Sequence, residues 1–132
     1  MANTVNITKI LTGTRNTIIH VYIASDGVSG DMTDQVLIDP VADLGFSSKA
    51  RMVVEKITHS FKGFDARVEF DTGLVDDKMI WVLTESSNEF DFRPMGGMKD
   101  RSGLDGTGKF QITTTGLDSA GDQGSMLIQV RQ

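Results

Sequence analysis

The chain has 132 residues and a formal net charge of −5 at pH 7, with a sequence pI of about 4.8. That length fits one domain, which buries roughly 65–70% of the surface its unfolded chain exposes and so supports a core of its own. Cysteine is absent, which excludes a disulfide, a zinc–thiolate site and a thiol nucleophile. The acidic balance argues against nucleic acid as a partner, because binding it needs a basic field that neutralises phosphates.

Taken in chain order, the residues read as strands. The segment 3–12 opens the chain, without a basic region followed by a long apolar stretch, so no signal peptide is expected. Nor does any apolar run approach the roughly 18–20 residues of a membrane-spanning helix. The expectation is a protein assembled in a cytoplasm, with no membrane partner. Residues 16–24 come second, apolar but interrupted by His20 and Tyr22. A strand over 31–38 comes next, and Asp39-Pro40 then suggests a short helical turn over 40–44, ended by Gly45.

Strands over 50–61 and 65–72 are next, and the second shows the clearest period of two. Ala66, Val68 and Phe70 take one face; Arg67, Glu69 and Asp71 take the other. Residues 79–83, Met-Ile-Trp-Val-Leu, are apolar on both faces, which predicts a central strand over 78–84. The candidates 89–93, 108–115 and 125–131 complete the set. Between them lie turn signals such as Asp26-Gly27, Ser29-Gly30, Lys62-Gly63, Thr72-Gly73, Gly96-Gly97 and Gly121-Asp122. Short strands joined by glycine-rich turns predict an all-β fold: an antiparallel sandwich or jelly-roll-like barrel of about eight or nine strands, with at most one short helix. A single domain over 1–132 is expected, with a mobile N-terminal end. The longest irregular stretch is 94–108, with five glycines, and loops of that length are usually functional or mobile.

Motifs that would carry chemistry fail on their own terms. Gly103-Leu104-Asp105-Gly106-Thr107-Gly108-Lys109 has phosphate-loop spacing, but Phe110 stands where a Ser or Thr should bind magnesium. The residues beyond Lys109 alternate and are β-branched, so they predict a strand, not the helix whose amides would hold phosphate. Acidic loops at Asp26…Asp31, Asp76-Asp77, Asp100…Asp105 and Asp118…Asp122 match no calcium-loop pattern and read as turn chemistry. His20 and His59 are the two histidines; a shared metal site is one reading, side chains on a sheet face the other. No nucleophile elbow occurs, and nothing selects a carboxylate pair for acid–base work. The expectation is therefore a protein that is not an enzyme and holds no cofactor or metal. Trp81 with Phe61, Phe64, Phe70, Phe90 and Phe92 suggests either a sugar-binding platform or, on alternating strands, a core.

Several segments resemble small virion structural proteins of tailed bacteriophages. They are residues 63–71, Gly-Phe-Asp-Ala-Arg-Val-Glu-Phe-Asp; Trp81; Phe90-Asp91-Phe92; Gly96-Gly97-Met98-Lys99-Asp100; Thr113-Thr114-Thr115-Gly116; and 121–131. The resemblance covers the second half of the chain and extends to the first half in general character. It implies a β-rich, oligomeric component of the particle. The leading expectation is a cement or decoration protein that binds the major capsid protein; the alternative is a tail or neck component. A carbohydrate-binding module for host adhesion is the alternative from another class. Candidate protein contacts fall at residues 1–6 and 94–108: Asn3, Thr4, Val5, Met95, Met98, Lys99, Arg101 and Leu104.

Overall fold

The structure is a computed structural model, and it describes residues 3–12, 16–33, 35–39, 53–71, 78–99 and 109–131. Among these residues the chain forms ten strands: β1 Thr4–Thr12, β2 Asn16–Ala24, β3 Gln35–Ile38, β4 Val53–Lys62, β5 Asp65–Phe70, β6 Lys78–Leu83, β7 Ser87–Asp91, β8 Met98–Lys99, β9 Phe110–Thr115 and β10 Gln123–Arg131. One 3-10 turn, Arg93–Met95, starts with Pro94 inside it and stops at Gly96. The turn expected over 40–44 lies outside the described residues.

The strands pair into two antiparallel sheets. Sheet A runs β1-β2-β10-β4-β7, with β8 also on β4; sheet B runs β3-β9-β5-β6. Every strand whose register is defined pairs antiparallel. The inner faces meet in one core. Sheet A supplies Ile19, Val21, Ile23, Ile57, Phe61, Met126, Ile128 and Val130; sheet B supplies Ile38, Val68, Phe70, Leu83, Phe110 and Ile112. The period of two that shapes these strands in sequence is the period that turns their apolar residues inward. The all-β sandwich is thus as expected.

Three local expectations change. Among the described strands the apolar run 79–83 is not central: β6 ends the path of sheet B, and Trp81 and Val82 are exposed. Trp81 instead closes one end of the sandwich, its ring 5.4 Å from Phe90 and 5.4 Å from Phe92. The segment 31–38 is strand only from Gln35, because Asp31 is engaged in turn bonding. The loop 94–108 carries order at its start. Phe92 N–H donates to Glu55 O at 2.8 Å and Gly97 N–H to Phe92 O at 2.8 Å. These bonds bring β8 back onto β4, with Val53 opposite Lys99. Gly97 is required there: its φ is +85°, and a Cβ would stand 2.4 Å from Val53 Cγ1.

Part of the outer face of sheet B is also buried, at the polar residues Glu69, Gln111 and Thr113, while Val82 on the same face is exposed. Glu69 accepts a hydrogen bond from Thr113 Oγ1 at 3.1 Å and faces Arg67 Nε at 3.6 Å, while Gln111 beside them is buried too.

Candidate functional site

The two sides of sheet A differ in how they end. At the β4 side the edge is broken. β7 covers Lys56–Ser60, β8 covers Val53–Val54, and the chain bulges between them through Phe92 and the 3-10 turn. Charges line this bulge. Arg93 grips Asp91 through Nε at 2.9 Å and Nη2 at 2.6 Å, and Lys56 pairs with Glu89 at 3.2 Å. The Arg93 hydrogen bonds hold the Asp91 carboxyl at about 2, well below its ordinary 3.8. Interruptions and charges of this kind are how proteins stop a sheet edge from recruiting another strand.

The β1 side is less interrupted among the described residues: Lys9, on the core side, and the register shift beyond it come only at the far end of the strand. β1 pairs with β2 from Thr4 opposite Ala24 to Lys9 opposite Ile19 without a break; a register shift follows between Lys9 and Leu11. No described strand pairs with its other edge. Cross-strand partners share a face, so Val5, Ile7 and Lys9 lie on the core side with Ile23, Val21 and Ile19, and Thr4, Asn6 and Thr8 lie outside. Val5 packs partly against the core. Ile7, one step farther along, stays 44% exposed, and Ile10 at the register shift is 59% exposed. The base of the strand is fixed by Asn3. Its Nδ2 donates to Gly30 O at 2.7 Å, and its Oδ1 accepts from Asp26 N–H at 3.1 Å.

The candidate contact residues therefore divide. Asn3, Thr4 and Val5 belong to the β1 side. Met95 is 69% exposed on the 3-10 turn and Lys99 lies in β8, both on the opposite side of sheet A. Met98 packs against the core rather than outward. Arg101 and Leu104 lie outside the described residues. Ile7 and Ile10 are not among the sequence candidates, although apolar residues in an edge strand are the signal that matters.

The outer face of sheet A holds a shallow trough that sequence reading also misses. Cross-strand register sets His20, Leu127, Thr58 and Glu89 in one row, and Tyr22, Ser125, Ser60 and Ser87 in the next. The first row edges an open cavity of about 500 Å³, and Tyr22, Lys62 and Gln123 edge an adjoining one of about 400 Å³. Small hydroxyl residues form the floor; Ser60 Oγ and Ser87 Oγ are 2.9 Å apart.

The other sequence candidates resolve into structure. His20 lies on the outer face of sheet A and His59 on the inner face, so the two do not share a site. His59 is 2% exposed. Its Nε2 lies 3.1 Å from Thr84 O, which can only accept, so Nε2 carries the proton. Nδ1 has no partner among the described residues, and burial lowers the imidazole pKa from 6.5. The ring stacks on Phe90 at 5.7 Å and tilts against Phe61 at 4.9 Å. Phe61, Phe64, Phe70 and Phe92 are buried, which makes them core and not a platform; of the aromatic set only Trp81 is exposed.

Asp26 caps its own turn, accepting from Val28 N–H at 2.8 Å and from Ser29 N–H at 2.7 Å and Oγ; the Ser29 hydroxyl first, then these amides, hold its carboxyl at about 2. Asp31 accepts from Leu117 N–H at 2.7 Å and Thr114 Oγ1 at 3.1 Å. Asp122 accepts from Ser119 N–H at 3.1 Å. These carboxylates are consumed by loop closure, and among the described residues no cluster of three or more His, Asp or Glu could hold a metal. The residue after Lys109 opens β9, a strand, with Phe110 fully buried. No helix among the described residues is long and apolar enough to cross a membrane. No family of known proteins, no characterised sequence and no solved structure matches this chain.

Proposed function

We propose that this domain works by binding protein, as a structural component of a tailed-phage particle that cements or decorates the capsid shell. The observation that carries the reading is the β1 edge, which no described strand covers, with Ile7 and Ile10 exposed on it. An edge of this length is an aggregation hazard unless a partner covers it, and strand addition supplies main-chain hydrogen bonds from any suitably extended partner. The opposite side of the same sheet presents Met95 and the charged β7–β8 bulge. A domain with a docking edge on one side and a second contact on the other can span a joint between shell subunits, and many copies on a lattice add their affinities. The resemblance of residues 63–71, 96–100 and 121–131 to small virion proteins supplies the setting.

The test is co-sedimentation of the purified protein with phage heads that lack it. The expected result is saturation at a fixed stoichiometry together with greater resistance of the shell to heat. Heads that bind none of it overturn the cement role. Binding to isolated tails in the same experiment would assign the protein to the tail or neck instead.

A further inference from the structure

We propose that β1 is the contact through which two copies of this chain form a two-fold dimer, β1 pairing antiparallel with β1 of the second copy and Ile7 facing Ile7. The proposal rests on the reading of β1 as a docking edge and names its occupant.

Charge selects the occupant first. The chain carries 18 acidic residues and a net charge of −5, so two copies repel over most of their surfaces. The stretch from Thr4 to Ala24 contains Lys9 and Arg15 and no Asp or Glu. Within β1 and β2 themselves, two copies therefore set no carboxylate against another.

Strand direction selects the symmetry. Along sheet A each neighbour reverses, so β1, the first of five strands in the path, runs the same way as β7, the last. Continuing the sheet head-to-tail, β1 onto β7 of the next copy, would make a parallel pair in a sheet that is otherwise antiparallel, and the β7 edge is already broken by the bulge at Phe92. A two-fold axis along the sheet normal pairs β1 with β1 antiparallel and keeps both core faces on the same side. Antiparallel pairing is the more stable geometry, and two-fold dimers are the commonest assemblies.

Register completes the match. The regular part of β1 ends at Lys9, and centring the axis on Ile7 uses Thr4 to Ile10. Ile7 then lies beside its copy, each covering the other's exposed side chain. Val5 faces Lys9, Asn6 faces Thr8 and Thr4 faces Ile10. The two Lys9 ammonium groups are offset by four residues, about 14 Å along the strands, beyond the Debye length of about 8 Å at physiological ionic strength. The dimer would present two β7–β8 bulges, one at each end of a continuous sheet, which suits a clamp between neighbouring shell subunits.

Sedimentation equilibrium of the full chain, with Ile7→Lys and Ile7→Cys, tests this. The expected mass is twice the 14.4 kDa of the chain. Ile7→Lys, at an exposed position, is expected to shift the mass to the monomer with an unchanged thermal melt. Ile7→Cys gives a single cysteine in a chain that has none. Directly opposed strand residues have Cα atoms about 4.5–5.5 Å apart, within disulfide reach, so mild oxidation should yield a covalent dimer. A monomer at every attainable concentration overturns the proposal. So does a dimer that survives Ile7→Lys and whose Ile7→Cys form does not cross-link. A dimer that fails to bind heads leaves this inference standing and removes the cement role; a monomer that binds heads does the reverse.

Discussion

Gly124→Ala is expected to destabilise the domain, although alanine normally favours a strand interior. Gly124 lies in β10, opposite Phe61 of β4 and Ile23 of β2. A Cβ there would stand 2.4 Å from Phe61 Cδ1, 3.0 Å from Phe64 Cζ and 3.0 Å from Ser60 O. Carbon atoms in good contact are about 3.5–4.0 Å apart, so the Phe61 ring must retreat by roughly 1 Å. It has little room: its centroid is 4.6 Å from that of Phe64 and 4.9 Å from that of His59. The Ser60 carbonyl, being backbone in the paired strand, cannot yield alone. Overpacking of this kind costs about 1–3 kcal/mol, and exchanging glycine for alanine returns about 0.5–1 kcal/mol. The net loss is about 1–2 kcal/mol, a fall in Tm of roughly 3–10 °C for a domain of this size. Urea denaturation should show a lower midpoint with an unchanged slope. In a Phe61→Leu background the cost of Gly124→Ala should shrink by at least about 0.5 kcal/mol, because residues in contact couple. A midpoint equal to or above that of the parent would refute the reasoning, and equal cost in both backgrounds would clear Phe61 of the clash.

Three further outcomes are expected. Burial lowers the His59 pKa below 6.5 in the folded state, so below that pH the unfolded chain binds the extra proton and the folded chain resists it. Stability should therefore fall as pH drops through 6.5 and below, and His59→Phe should flatten that slope in urea titrations at pH 7 and pH 5. Arg93→Ala should let the Asp91 carboxyl rise from about 2 toward 3.8, read by NMR titration of its side chain, while the thermal melt stays unchanged because the pair is exposed. Asn3→Ala removes one bond to Gly30 O and one from Asp26 N–H, each worth about 1 kcal/mol; amide exchange at Asp26 should speed up, and an unchanged rate would show that Asn3 does not anchor β1.

The fold class was legible because burial follows the period of two. Met126, Ile128 and Val130 read as one face in sequence and are buried on one face in the structure. Strand position was less legible. The run 79–83 is apolar on both sides, the mark of a central strand, yet among the described strands β6 ends the path of sheet B; Trp81, opposite Val68 on the inner face, packs against Phe90 and Phe92, while Val82 on the outer face stays exposed. Burial on the outer face leaves no such mark: Gln111 and Thr113 lie on the face opposite Phe110 and Ile112, as alternation has them, yet are buried beside Glu69. β8 is invisible in sequence because two residues carry no period; its place on β4 comes from the Phe92 and Gly97 hydrogen bonds. The N-terminal contact candidates fall on the edge that no described strand covers, but the apolar residues exposed there, Ile7 and Ile10, carry no local mark that separates them from core positions. Exposure at an edge depends on the relative widths of two sheets, which no local pattern records.

The place of β10 in sheet A bears on how the protein is made. β10 is hydrogen-bonded on both sides, to β2 and to β4, and its Met126, Ile128 and Val130 belong to the core. Until this segment leaves the ribosome, the β1–β2 hairpin has no connection to the rest of sheet A, and two strand edges stand open where β10 will go. Everything from β1 through β10 must therefore be synthesised before the sandwich can close, and closure joins partners far apart in sequence, Ile19 with Ile128 among them. Contacts of such long range make folding slow. During that interval the nascent chain exposes more pairing surface than the finished protein does, and a crowded assembly reaction would meet it in its most adhesive form.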